Sequence, residues 1–230
     1  MLADLLISII KLTSNEPATV EQVAANGHLP VTIARERLRK LGRLGLIKLK
    51  RDVIESTEAQ RLELTIEAVK LGADIERACR FLGWQEFEKV AILALEYNLF
   101  KTLKHFKFKW ANRWWEIDIL GFSEPFILSV DCKHWKHSWQ YTAIMRIVDT
   151  QIKRTKAFSQ ALLRIKWKMG IEKWRKVEIL PVILTLGATP FKFYKQVPIV
   201  PILQFRSFIN ELPAFVNCLA TFRVKSGLLK

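Results

Sequence analysis

The stretch from Trp114 to Trp135, WWEIDILGFSEPFILSVDCKHW, constrains the fold more than any other part of the chain. Two runs of β-branched and apolar residues, 117–120 and 126–130, flank Ser123-Glu124-Pro125, a sequence typical of a turn. We therefore predict two antiparallel strands joined by a tight turn. The apolar context favours a position near the centre of a sheet.

The chemistry of this hairpin depends on its register. A turn centred on the Glu124-Pro125 bond pairs Asp118 with Asp131, and it places Glu116 opposite Lys133 on the same face. Directly opposed carboxylates repel each other, so a bound divalent cation is the natural compensation. The alternative is an exposed polar face whose Glu116–Lys133 pair contributes little. A slip of one residue would change the facing pairs.

Asp118, followed by Asp131-Cys132-Lys133, resembles the D…(D/E)xK signature of the PD-(D/E)xK nuclease superfamily, which has the restriction-endonuclease-like fold. The likeness is greatest to Mrr-type restriction enzymes and archaeal Holliday junction resolvases. It implies that Asp118, Asp131 and the backbone carbonyl of Cys132 hold Mg²⁺, with Mn²⁺ as a substitute. Lys133 would orient or help deprotonate the attacking water. The chain departs from the usual pattern with Ile117 in place of proline and aspartate rather than glutamate at position 131.

Two more residues enter this site through the resemblance. Glu88 lies in the apolar arc of a helix predicted from Gly83 to about Phe100, where a carboxylate needs a cation, a hydrogen-bond donor or a raised pKa. The family carries a Phe-Glu pair on this helix whose glutamate joins the metal site. The alternative is a glutamate favoured by the helix dipole. Gln151, central in the apolar arc of a helix over 143–166, resembles the family's active-site glutamine, although a buried glutamine can simply bond to backbone.

The first seventy residues predict three helices, at 2–12, from about 19 to 26 and at 31–43, followed by a hairpin over 46–54 and a closing helix at 57–71. This order resembles the winged helix-turn-helix family. The resemblance implies that the third helix enters a DNA groove and that the hairpin touches the DNA backbone. The residues expected to contact DNA are Thr32, Arg35, Arg39, Arg43, Lys48, Lys50 and Arg51. Winged helices also bind proteins, and arginine stripes are often only solvated faces.

Further strands are predicted at 103–110, 178–187 and 197–202, with a final helix over 205–219. The resulting order, α-β-β-β-α-β-β-α, gives an α/β fold class: a restriction-endonuclease-like mixed sheet flanked by helices, plus a small N-terminal winged-helix domain. We predict a winged-helix domain at 1–72, a linker at 73–83 and a nuclease-like domain at 84–230.

The charge balance indicates the class of partner. Lys and Arg total 37 against 22 acidic residues, a surplus of +15 that suits nucleic acid or an anionic membrane surface. No apolar run is long enough to span a membrane, and the N-terminus lacks the features of a signal peptide. Three scattered cysteines indicate a reducing compartment, so we expect a cytoplasmic protein.

These features predict a metal-dependent DNA endonuclease that leaves a 5′-phosphate and a 3′-hydroxyl. Since one site cuts one strand, cleavage of a duplex favours a homodimer. The alternative is a non-catalytic DNA-binding transcriptional regulator that uses the nuclease-like fold as a scaffold. Duplex DNA, branched DNA and RNA all remain open as substrates.

Overall fold

The computed structural model describes residues 2–133, 140–187 and 189–225 of the chain. It divides into two compact units, Met1–Val90 and Ala91–Lys230. The division falls inside the helix Trp84–Tyr97, whereas the sequence placed a linker at 73–83. In the described ranges, no helix combines the length and the apolar character needed to cross a lipid bilayer.

The first unit contains three helices, a small sheet, two more helices and the start of the helix Trp84–Tyr97. Its elements are α1 (Leu2–Leu12), β1 (Ala18–Thr19), α2 (Val20–Asn26), α3 (Val31–Arg43), β2 (Lys48–Lys50), β3 (Val53–Glu55), α4 (Glu58–Lys70) and α5 (Ile75–Cys79). The predicted helices and hairpin are therefore confirmed as elements.

Local sequence explains where the helices of this unit start and what they bury. Thr19 and Thr57 each accept a hydrogen bond from the backbone of a glutamine three residues later, and that glutamine bonds back to the threonine. Such capping boxes satisfy amide groups that a helix start leaves without partners. The three short strands form an antiparallel sheet in the order β1-β3-β2. Buried leucine and isoleucine side chains of α1, with Leu38, Ile54 and Leu64, form the core.

The helix α6 (Trp84–Tyr97) enters the second unit at Ala91. The remaining elements are β4 (Lys101–Trp110), β5 (Arg113–Ser123), β6 (Phe126–Lys133), α7 (Tyr141–Ile165), β7 (Lys176–Thr185), β8 (Phe193–Tyr194), β9 (Val197–Pro201), α8 (Ile202–Phe215) and β10 (Phe222–Lys225). The predicted order of helices and strands is confirmed, while the short strands β8 and β10 were not predicted.

The strands form one mixed sheet in the order β4-β5-β6-β7-β9-β8, with β10 paired to β7. Ile119 lies opposite Val130 and Ser123 opposite Phe126, so the predicted register of the hairpin is confirmed over this ladder. β6 runs parallel to β7, and β7 runs parallel to β9. The carboxyl ends of β6 and β7 therefore meet at one edge, with Lys133 opposite Thr185.

α7 covers one face of the sheet along its whole length. Its second half packs against Phe108, Ile117, Leu120 and other buried residues of β4 to β7, and its first half packs against β7 and β9. Regular alternation would put residues 117 and 120 on opposite faces, yet both belong to the core under α7. Between them the β4–β5 ladder passes over His105 and Asp118.

 His105 has a φ of +49°. This left-handed conformation is uncommon outside glycine, and it accompanies the change of face at Asp118.

The opposite face receives the part of α6 that belongs to this unit. A Cβ atom on Gly121 would lie 2.9 Å from a methyl carbon of Leu95, closer than ordinary contact. Glycine at this position therefore lets the helix approach the strand closely. With α7 on one side and α6 on the other, the α/β fold class is confirmed in its coarse form, as a mixed sheet flanked by helices.

Candidate functional site

Three charged side chains meet at the carboxyl end of β6. Asp131 is buried, with 3 % of its surface exposed. Lys133 Nζ lies 2.7 Å from Asp131 Oδ2, and Arg154 Nη1 of α7 lies 2.7 Å from Oδ1. Both oxygens of this carboxylate are therefore held by cations, and charge-assisted hydrogen bonds of this length are strong.

Gln151 connects this cluster to the strand. Its Nε2 donates to the backbone carbonyl of Ser129 at 2.6 Å and lies 3.2 Å from Ser129 Oγ. Its Oε1 accepts a hydrogen bond from Arg154 Nη1 at 2.9 Å. Gln151 thus bonds to backbone, as the simpler reading of the sequence expected, and also orients Arg154 toward Asp131.

Asp118 lies where the β5–β6 ladder ends. The last paired residues are Ile119 and Val130, and beyond them Asp118 Oδ2 accepts the backbone N–H of Cys132 at 2.9 Å. Burial raises the pKa of Asp118 above its ordinary value, and the charge of Asp131 raises it further. The Cys132 hydrogen bond and the charges of Lys133 and Arg154 oppose this shift. The two aspartates therefore repel each other, as the sequence predicted.

The predicted pairing of Glu116 with Lys133 is wrong. Glu116 lies 3.2 Å from His105 and 3.5 Å from Lys107, both on β4, and Lys133 pairs with Asp131. The physical reason is the end of the ladder at Ile119, because strands that no longer pair do not keep their side chains opposed.

The candidate site offers oxygen ligands of the kind that a divalent cation prefers. Asp118 and Asp131 are two neighbouring carboxylates, and Mg²⁺ is commonly bound through one or two carboxylates with water completing its shell. The pKa of Asp118 is raised by burial and by the charge of Asp131. A bound cation would offset the repulsion between these two carboxylates. Within residues 2–133, 140–187 and 189–225, no group of three or more His, Cys, Asp or Glu side chains is placed to hold a metal. The residues therefore fit a cation held by two carboxylates, with water or backbone oxygen as the other ligands.

The two remaining predicted ligands have different surroundings. Glu88 belongs to the first unit, where it is buried and accepts a hydrogen bond from Trp84 Nε1 at 2.6 Å. Cys132 is buried in β6 opposite Leu184. The participation of Glu88 and of the Cys132 carbonyl in a metal site stays a prediction.

The chain matches no protein-family model, no curated protein and no solved structure.

The first unit brings four of the predicted DNA-contacting residues around one groove. This groove has a volume of about 560 Å³ and is lined by Arg39, Gly42, Arg43, Ile47, Lys48, Leu49 and Lys50. Four of these lining residues are cations, none is a carboxylate, and the others are Gly42, Ile47 and Leu49. Such a groove between α3 and β2 suits a polyanion.

The other three predicted contacts differ from one another. Thr32 and Arg51 are exposed, at the start of α3 and in the β2–β3 turn. Arg35 instead holds Asp52 through Nε at 3.2 Å and Nη2 at 3.0 Å, and its Nη2 lies 3.2 Å from Glu21. Arg51 and Asp52 have φ values of +47° and +64°, as a two-residue hairpin turn requires. Arg35 therefore anchors this turn to α3.

Sequence reasoning missed Arg154 as a site residue. Its distance from Asp131 depends on how α7 crosses the sheet, which a local sequence pattern does not determine. One signal was available: Arg154 follows Gln151 by three residues, and residues at this spacing are neighbours on a helix surface.

Proposed function

We propose that the protein is a metal-dependent DNA endonuclease that hydrolyses phosphodiester bonds at Asp118 and Asp131. The observation that carries the proposal is the meeting of these two carboxylates with Lys133 at one end of the sheet. Carboxylate repulsion in a partly buried place costs folding energy, and such arrangements are concentrated at functional sites. The resemblance to PD-(D/E)xK nucleases supports the same function.

Each residue of the site has a defined task in this proposal. Asp118 and Asp131 would hold Mg²⁺ or Mn²⁺. A divalent cation bound there acidifies a coordinated water and stabilises negative charge on the scissile phosphate. Lys133 would hold the attacking water or neutralise the phosphate after leaving Asp131. Gln151 and Arg154 position Asp131 from α7.

The groove of the first unit would bring DNA to the protein. Its four cations can neutralise backbone phosphates of DNA: Arg39, Arg43, Lys48 and Lys50. The proposal also makes this unit a winged-helix domain. It further makes the protein a homodimer, in which each subunit cuts one strand of a duplex.

The test is a cleavage assay on plasmid, linear duplex and four-way-junction DNA, each with Mg²⁺, Mn²⁺ or EDTA. Wild-type protein should cut in the presence of metal, and Asp131→Asn and Lys133→Met should lose cutting while still binding DNA. The matched control is Asp149→Asn. Asp149 lies on α7, its side chain is 40 % exposed, and it pairs with Lys195 at 2.7 Å. Tight DNA binding without cutting under every metal would refute the proposal.

One observation favours a second candidate function, the non-catalytic DNA-binding regulator. Both oxygens of Asp131 already bind cations, so Asp118, Asp131, Lys133 and Arg154 are neutral as a group. A metal would have to displace one of the two cations. In the regulator, the cluster would only hold α7 on the sheet, and the groove of the first unit would be the working part.

A further inference from the structure

A continuous row of alternating cations and indoles lies on the second unit. It joins the end of the β4–β5 hairpin to the end of α7. Its members are Lys168, Trp167, Arg164, Trp110, Arg113 and Trp115, and we call it the cation–indole row.

Each member of the row lies next to the following one. Lys168 Nζ lies 5.5 Å from the centre of the Trp167 ring, and Trp167 Nε1 donates to the carbonyl of Arg164 at 3.2 Å. Arg164 Cζ lies 5.3 Å from the ring of Trp110. Trp110 lies opposite Arg113 in the hairpin, and these two residues continue the row across its turn.

The last link and one lateral bond complete the arrangement. Arg113 Cζ lies 4.3 Å from the ring of Trp115. Trp110 Nε1 donates to Gln160 Oε1 of α7 at 3.0 Å, which fixes the hairpin end against the helix. All three cations are exposed, and Trp167 exposes 64 % of its surface.

We propose that the cation–indole row binds single-stranded nucleic acid. A nucleotide chain alternates phosphates with bases, and the row alternates cations with aromatic rings. The exposed Trp167 indole and the guanidinium planes can stack on bases, while Lys and Arg neutralise phosphates. Trp110 and Trp115 are half-buried against the core, where they hold the guanidinium groups of Arg164 and Arg113 in place. The surplus of +15 on the chain suits the same polyanion.

An anionic membrane surface is the main competitor, since tryptophan and basic residues also occur at membrane interfaces. Membrane insertion requires a contiguous apolar face. In the row a charge separates each indole from the next, and burying those charges in lipid would be costly. The alternation therefore favours nucleic acid.

One member of the row, Arg164, lies on α7, the helix that also carries Arg154 of the candidate site. Arg164 follows Arg154 by ten residues, about 15 Å along α7 at the usual rise of a helix. Unpaired nucleotides bound on the row would thus lie near the two aspartates. The inference concerns binding alone, so it stands whether or not the protein cuts.

The experiment measures binding of a fluorescein-labelled oligothymidylate to the full chain in EDTA, where metal-dependent cutting cannot occur. Trp167→Ala should weaken binding about tenfold, because stacking of one base on an aromatic ring is lost. Arg164→Gln should reduce the slope of log K against log salt by about 0.7, since one phosphate contact is removed.

The matched control is Arg206→Gln. Arg206 Cζ lies 4.4 Å from the ring of Tyr97, an exposed cation–aromatic pair of the same unit outside the row. This variant should bind the oligonucleotide as the wild type does. Circular dichroism checks that each variant is folded. Because Trp167 is highly exposed, its replacement should leave the fold intact.

Two results would overturn the proposal. One is equal affinity of Trp167→Ala and wild-type protein for the oligonucleotide. The other is binding to phosphatidylserine vesicles that persists in the presence of the oligonucleotide and shifts tryptophan emission to the blue. A protein that never cuts DNA but shows the expected losses of binding would refute the endonuclease and leave this inference intact.

Discussion

Asp118→Asn and Asp131→Asn should change the stability of the protein in opposite directions. Asparagine at position 118 keeps an oxygen for the Cys132 N–H and removes a carboxylate whose pKa burial raises. Asparagine at position 131 removes the charge that holds Lys133 and Arg154. The first change should therefore stabilise the fold, and the second should destabilise it.

The magnitudes follow from the contacts. Removing one partner of a buried ion pair costs roughly 3–5 kcal/mol. Lys133 and Arg154 keep 22 % and 20 % exposure, so water takes part and we expect a loss of about 2–3 kcal/mol for Asp131→Asn. Relief of a strained functional position commonly yields about 0.5–2 kcal/mol, which we expect as the gain for Asp118→Asn.

The gain from Asp118→Asn should depend on pH. Because the folded-state pKa of Asp118 lies above its unfolded value of 3.8, the folded protein binds the proton more tightly than the unfolded chain does. The charged carboxylate therefore lowers stability above the folded-state pKa, and this penalty disappears as the pH falls toward the unfolded value. The difference between wild type and Asp118→Asn should shrink over the same range.

Thermal unfolding in EDTA at neutral and acidic pH measures both effects, with Asp149→Asn as the control for loss of an exposed carboxylate. A melting temperature of Asp118→Asn below that of wild type at neutral pH would refute the reasoning. It would mean that the hydrogen bond and charge of the Asp118 carboxylate stabilise the folded protein more than its burial and its repulsion from Asp131 destabilise the folded protein.

Two further predictions concern buried groups. Glu86 is buried and binds Arg61 Nε at 2.8 Å, so Glu86→Gln should lower the free energy of unfolding by about 2–4 kcal/mol, whereas Glu67→Gln in an exposed pair should change it by less than about 1 kcal/mol. Chemical denaturation compares the two, and equal effects would contradict the argument. Of the cysteines, Cys218 is exposed, Cys132 is buried, and burial raises the pKa of Cys79 to about 12. A thiol reagent should therefore modify one cysteine in native protein and all three in denaturant, and rapid modification of all three in native protein would contradict this burial.

Much of the fold was predictable because it depends on local pattern. Alternating apolar residues and a proline turn gave the register that places Ile119 opposite Val130. The buried run of β7 indicated a strand covered on both faces, as its parallel pairing with β6 requires. The predicted candidate residues Asp131, Lys133 and Gln151 meet in one network.

The rest depends on contacts between distant parts of the chain. The β5–β6 ladder ends at Ile119, and His105 of β4 has a positive φ. Both features depend on how β4, β5 and β6 fit together, so the pairing of Glu116 with Lys107 could not be predicted from the hairpin alone. Arg154 reaches Asp131 only because α7 crosses the sheet at that point. Glu86 is buried and pairs with Arg61 of a separate helix, so its burial could not be predicted from the pattern of its own helix.

Binding of Mn²⁺, followed by electron paramagnetic resonance, tests most directly whether Asp118 and Asp131 form a cation site. The account predicts that wild-type protein and Asp149→Asn bind the ion, and that Asp118→Asn and Asp131→Asn lose this binding. Equal binding by all four proteins, or none by the wild type, would contradict the central claim and favour a DNA-binding protein without catalytic metal.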